Sequence, residues 1–176
     1  RRTEQGNYVP ADALDILPKP CYDLVTLHRS LDLMTTLIKY MQELGWDPYA
    51  NDHEDANCQF EINWRYADAL TTADRHTFFR WMVKSAAEQR GLMATFMPKP
   101  FSHLTGSGAH FHLSLWDKEN KQNLFLDKKD KNGLSQQAYW FMGGLLKHAR
   151  ALAAVTSPLV NSYKRLIRGA PRSGAT

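Results

Sequence analysis

Apolar residues recur along this chain with two periods, and the switches between them lay out the predicted elements. From about Asp23, the residues Leu27, Leu31, Met34, Ile38 and Met41 recur at three- and four-residue steps, the stripe of a helix packed on a core. Gly45 is its predicted stop, with Pro48 just beyond. Trp46 to Ala50 reads as a short strand leading into the polar loop Asn51 to Asn57. Gln59 to Trp64 then alternates, with Phe60, Ile62 and Trp64 on one face and Gln59, Glu61 and Asn63 on the other. A second helix is predicted from Thr72, as N-cap, to Arg90, with Gly91 as its stop. Phe78, Phe79, Met82, Val83 and Ala86 would face its core. Leu92 to Met97 is a short apolar run closed by Pro98-Lys99-Pro100, which predicts a buried strand with a rigid exit.

The alternation returns from Ala109. Ala109, Phe111, Leu113 and Leu115 fall on one side of a predicted strand, and His110, His112, Ser114 and Trp116 on the other. Lys118 to Asn132 is a charged excursion with no evident chemistry. A third helix is predicted from Ser135 to Val155, and its Gly143-Gly144 pair, costly in a helix interior, marks a close helix–sheet contact. Pro158 ends that segment, and Asn161 to Leu166 reads as extended. Residues 1 to 20, with Gly6, Pro10, Pro18 and Pro20 among mixed charges, read as an arm or surface loop. The mixture of strands and helices predicts sheet and helices packed in layers.

Composition narrows the class without naming it. The 176 residues suffice for one domain with a core. No apolar run approaches the roughly 20 residues of a membrane span, and no secretory signal opens the sequence, so a cytoplasmic protein is expected. Cys21 and Cys58 form no metal or disulfide pattern and read as reduced thiols. A net charge of +4 suits a phosphate-bearing substrate, but no dense basic stripe with interleaved aromatics calls for nucleic acid. Both ends look cut: the chain starts at Arg1 without a methionine and stops at Thr176 in a Gly/Ala/Ser loop, so a piece of a longer protein is expected.

Chemistry concentrates on two polar faces. Gln59, Glu61 and Asn63 share one, with Glu54 in the preceding loop, and His110, His112 and Ser114 share the other. An inward carboxylate beside Phe, Ile and Trp is expensive unless paired or bound to metal. Should the faces meet, an oxygen-rich set with a minority of nitrogen suits Mg²⁺ or Mn²⁺ better than zinc. Should Glu61 face solvent and Glu54 be a loop residue, neither face is a site. The spacing alone leaves both open. There is no Walker loop, no Rossmann glycine fingerprint and no Gly-x-Ser-x-Gly elbow.

Five motifs taken in order carry a family resemblance. They are His53-Glu54, Gln59-Phe-Glu61-Ile, Phe96-Met-Pro-Lys-Pro100, Gly106-Ser-Gly-Ala-His110-Phe-His112-Leu-Ser114 and Asn161-Ser-Tyr-Lys-Arg165. Together they resemble the successive signatures of the glutamine synthetase family, nearest to its type III glutamate–ammonia ligases and the γ-glutamylmethylamide synthetases. The resemblance implies an α+β fold, a curved and mainly antiparallel sheet forming a partial barrel with packed helices. Residues 21–176 would be part of that catalytic domain, truncated at both ends, with 1–20 as its arm and an N-terminal β-grasp domain outside this chain. It implies Glu54, Glu61 and His110 as metal ligands, and Tyr66, His112 and Ser114 as nucleotide contacts. Gly106 would hold glutamate by its backbone, and Arg165 would grip the substrate carboxylate and serve catalysis. ATP and Mg²⁺ or Mn²⁺ are the implied cofactors. Glutamate with ammonia or a small amine are the implied substrates, and a homo-oligomeric ring, a dodecamer in much of the family, is the implied assembly.

The implied reaction is phosphoryl transfer from ATP to the γ-carboxylate of glutamate, then amine attack on the acyl phosphate. Two positions depart from the pattern. Pro171 stands where the family carries a flap glutamate, and Thr105 stands where many members have asparagine. Both bear on the acceptor amine. The fragment by itself is expected to be inactive, and a non-catalytic structural or regulatory relative is the reading from another class.

Overall fold

The first apolar stripe forms two helices rather than one. In the computed structural model, which describes residues 1–119 and 121–170, α1 spans Leu24–Arg29 and α2 spans Leu31–Glu43. Asp23 caps α1 by accepting from the Thr26 amide at 2.9 Å, and Ser30, at φ −99° and ψ 8°, breaks the run between them. Gly45 takes φ +71° just past α2, the left-handed turn that only glycine adopts without strain.

The chain then forms an antiparallel hairpin, β1 (Pro48–His53) against β2 (Phe60–Trp64). β1 therefore reaches into the stretch expected to be loop, because Asn51, Asp52 and His53 find ladder partners in Ile62, Glu61 and Phe60. Next, α3 runs Ala69–Glu88, starting three residues before the predicted cap. Asp68 does the capping instead, accepting from the Thr71 amide at 3.0 Å. Met34, Leu37 and Met41 of α2, Trp46, and Met82 and Ala86 of α3 form the buried core. Phe60, Ile62, Trp64 and Phe79 pack against it. Leu92 to Met97 joins no ladder. Phe96 is held by its ring instead, 6.0 Å from Phe79 and beneath the Arg80 guanidinium at 5.4 Å. The first twenty residues run outside helix and strand, apart from an Arg2–Tyr8 bridge.

The chain divides into two units, residues 1–107 with 164–176, and residues 108–163. The second holds isolated bridges Trp116–Asn123 and Leu126–Leu134, then α4 (Gln136–Lys147) and α5 (Ala149–Thr156). Ser135 caps α4, and His148 interrupts the predicted single helix at φ −102° and ψ 12°. Two expectations fail here. Ala109 to Ser114 joins no ladder among the described residues and is exposed on both faces, since alternation yields a strand only where a neighbour takes its hydrogen bonds. A Cβ built on Gly143 or Gly144 meets nothing within 4 Å, so the pair marks no close contact. A third correction concerns the last segment: Val160–Leu166 is helix α6, not extended. It holds no glycine, and Pro158 lies just ahead of the helix, where its missing N–H costs no helical bond.

The α+β expectation is met, with a small, open, two-stranded antiparallel sheet and helices packed on one of its faces. Cys21 and Cys58 are both free. Among the described residues no helix is long and apolar enough to cross a membrane.

Candidate active site

The hairpin presents two unlike faces. Its ladder sets His53 opposite Phe60 and Asn51 opposite Ile62 on the side packed against the helices. The alternate positions place Asp52 opposite Glu61, with Glu54 following two residues after Asp52. Two like charges directly opposite each other destabilise a bare hairpin. Burial, and then the nearby Glu61 carboxylate, push the Glu54 carboxyl above the ordinary glutamate range. Glu54 and Glu61 thus lie close enough to feel each other's charge.

The backbone at Glu54 is held on every side. Its amide donates to the Gln59 carbonyl at 2.8 Å, and the Tyr22 amide donates to the His53 carbonyl at 2.8 Å. Its own carbonyl meets His53 Nδ1 at 2.7 Å. The donors facing outward are carboxylate oxygens, the hard set that fits Mg²⁺ or Mn²⁺. Two carboxylates are a partial shell: among the described residues, no three His, Cys, Asp or Glu side chains stand close enough to share an ion. Beside this face, burial and the carboxylates of Glu54 and Asp55 push the Cys21 thiol up to about 11, so it stays protonated and unreactive at neutral pH.

A second convergence joins Gly106 and Arg165. Residues 98–107 close into a loop, with the Ser107 amide donating to the Pro98 carbonyl at 2.9 Å. Inside it, the buried Lys99 ammonium donates to the Leu104 carbonyl, and burial lowers its pKa. Gln59 Nε2 reaches Ser107 Oγ at 3.2 Å and ties this loop to the hairpin. A Cβ at Gly106 would lie 2.6 Å from the Pro98 carbonyl oxygen and 2.7 Å from Arg165 Cγ, so only glycine fits. Arg165 Nε is buried with no hydrogen-bond partner among the described residues. An orphaned guanidinium donor is costly, and an anionic oxygen would satisfy it.

These motifs have counterparts of known kind. Residues 2–174 match the family described as glutamine synthetase, catalytic domain. The chain belongs to the glutamine synthetase family.

Relatives sharpen the placement. Over 168 residues the chain is 58% identical to a glutamine synthetase of Rhizobium meliloti, covering 94% of this chain and 38% of that protein. Over 177 residues it is 50% identical to the glutamate–methylamine ligase of Methyloversatilis universalis, covering 99% of this chain and 40% of that protein. A solved structure described as apo GmaS without ligand superposes with a TM-score of 0.85 at 59% identity, over 89% of this chain and 37% of that one. The chain therefore spans well under half the length of these relatives.

Against that family pattern, the structure sorts the predicted residues into sets. Glu54 sits with Glu61, and Gly106 with Arg165. His110, His112 and Ser114 lie along the exposed run of the second unit, where Ser114 Oγ accepts from Trp116 Nε1 at 3.0 Å. Tyr66 follows β2 and is 85% exposed. Pro171 lies outside the described residues. Sequence reasoning missed the buried His53, Asp15 and Lys99. His53 was visible only as half of a motif, Lys99 only as punctuation between prolines, and nothing in spacing links Asp15 to a residue 38 positions on.

Proposed function

We propose that the full-length protein containing this chain is an ATP-dependent ligase that joins glutamate to ammonia through γ-glutamyl phosphate. The observation that carries this reading is the Arg165 stem packed against Gly106, its buried Nε without a hydrogen-bond partner among the described residues, in the same unit as a hairpin face on which Glu54 and Glu61 lie close. Arg165 would fork onto the substrate carboxylate and hold the γ-oxygens as charge moves onto them. The Gly106 backbone would approach the amino acid where a side chain would block it. Glu54 and Glu61 would hold one Mg²⁺ or Mn²⁺ on the substrate side, and His110 would be a ligand of a separate one against the nucleotide phosphates. Such ions neutralise phosphate charge during transfer. His112 and Ser114 would contact the nucleotide and Tyr66 would stack on its base. Assembly into a homo-oligomeric ring, a cytoplasmic location, and the division into an arm (1–20) and a partial catalytic domain (21–176) belong to the same proposal.

A second acceptor has its own support. Identity to a glutamate–methylamine ligase is nearly as high as to a glutamine synthetase, and the apo GmaS structure superposes closely. Methylamine or another small amine in place of ammonia changes only the last step. The test is a panel of ammonium, methylamine and putrescine with full-length protein, glutamate, ATP and Mn²⁺. Product should form with ammonium or methylamine, and Glu61→Ala should lower turnover at least about 100-fold, the scale of losing charge stabilisation in the transition state. Undiminished turnover in that variant would sink the metal assignment. Binding of glutamate and ATP with no product from any amine would favour a non-catalytic role.

A further inference from the structure

The most heavily tied side chain near the carboxylate face belongs to the N-terminal arm. Asp15 is 4% exposed, and its carboxylate takes three donors or ring contacts. Oδ2 faces His53 Nε2 at 2.9 Å and accepts the Cys58 amide, and Oδ1 accepts Asn57 Nδ2 at 3.1 Å. Asn57 also donates to the Leu17 carbonyl, so the arm and the β1–β2 turn are laced together. That turn needs the help. Cys58 sits at φ +56°, a left-handed conformation that costs a non-glycine residue about 1 kcal/mol or more.

We propose that Asp15 and His53 are positioning residues that aim the Glu54 carboxylate at Glu61. The chain of contacts is direct. Asp15 fixes the imidazole, which is wholly buried, and the imidazole's other nitrogen meets the Glu54 carbonyl at 2.7 Å. Asp15 also holds the turn between the two carboxylates through the Cys58 amide. Both arms of the hairpin end, one bearing Glu54 and the other leading to Glu61, are thereby referred to one carboxylate outside the hairpin. Groups that orient metal-binding side chains through such contacts change metal affinity about 10- to 100-fold when removed. The inference rests on reading Glu54 and Glu61 as metal ligands, and it adds that the arm is part of the site's frame.

The test is Mn²⁺ binding to the full-length protein without nucleotide, followed by electron paramagnetic resonance, in Asp15→Asn, His53→Asn and Asp12→Asn. The Asp12 carboxylate tethers the same arm to Arg29 and bonds neither Asp15 nor His53, and Asp12→Asn keeps the Asp12 carbonyl that accepts the Asp15 amide, so this variant controls for loosening of the arm. His53→Asn keeps a donor near the Glu54 carbonyl while losing reach to Asp15, and it serves should Asp15→Asn fail to fold. The expected result is Mn²⁺ affinity weakened about tenfold or more in Asp15→Asn and His53→Asn, and within twofold of unmodified protein in Asp12→Asn. Unchanged affinity in the first two, or equal weakening in the third, overturns the proposal. Unmodified protein that binds no Mn²⁺ and forms no product defeats the functional reading itself, a failure seen without any variant.

Discussion

Gln59 to Trp64 and Ala109 to Trp116 carry the same alternation and meet different ends. In the first, Phe60, Ile62 and Trp64 press on a core of α2 and α3, and the ladder to β1 takes the backbone hydrogen bonds. In the second, Phe111 and Leu113 are exposed and the backbone from Ala109 to Ser114 lies outside any ladder among the described residues. Alternation reports which side chains share a face. It does not report whether anything lies against that face. The family motifs on the two runs are equally recognisable, so the difference is one of local support.

The comparison breaks most directly by making the same kind of deletion in both runs of this chain. Trp64 touches Trp46 and Phe79 at ring distances of 6.0 and 5.1 Å, so Trp64→Ala removes contacts on two sides. Urea unfolding should show a loss of about 2 to 3 kcal/mol, toward the low end for aromatic truncation because the ring is half-buried. Phe111→Ala, at a residue 69% exposed, should stay within about 0.5 kcal/mol. Equal losses would mean that the second run is packed after all.

A smaller effect separates the two faces of the hairpin itself. Glu54 has a carboxyl raised above its ordinary value of 4.5 by burial and then by Glu61. In the folded state it binds its proton more tightly than in the unfolded state. Its contribution is therefore most favourable below the unfolded value, and it declines as pH rises through the raised folded value. Without divalent metal, the melting temperature of Glu54→Gln should exceed that of the parent at pH 7. The gap should close on acidification toward pH 4. Saturating Mn²⁺ should reverse the order, since the parent then gains a ligand that the amide binds poorly. A parent that outlasts the variant in metal-free buffer at pH 7 would remove the electrostatic case for a cation at this face.

How much of this was legible follows from what each residue depends on. The helices showed because their apolar residues recur within a few positions, though Ser30 and His148 cut two of them in ways the stripe did not show. Asp68 as a cap was hidden behind an acceptable but unused Thr72. Glu54 and Glu61 were legible as a loop carboxylate and a strand face, but the hairpin that joins their two segments was not, because nothing in either run names its partner. The Arg165 stem against Gly106 spans 59 positions and was reachable only through family motifs. Asp15 was not reachable at all, because its role is defined by His53 and the Cys58 turn, and an aspartate in a proline-bearing arm carries no sign of them.

The smallest effect tests the open side of the comparison. Gly143 and Gly144 lie inside α4, where glycine costs up to about 1 kcal/mol relative to alanine through the entropy of the unfolded chain. A Cβ at either position meets no atom within 4 Å, and neither residue takes a left-handed φ, so alanine fits both without strain. Gly143→Ala in this chain should therefore raise stability by about 0.5 to 1 kcal/mol, read as a higher melting temperature with an unchanged denaturant slope. At Gly106, which is walled by Pro98 and Arg165, the same substitution must push atoms aside and should lower it. The two glycine positions thus put opposite signs on one chemical change. A loss at Gly143 would show that a neighbour covers α4 and that the second unit is better packed than its exposed residues indicate.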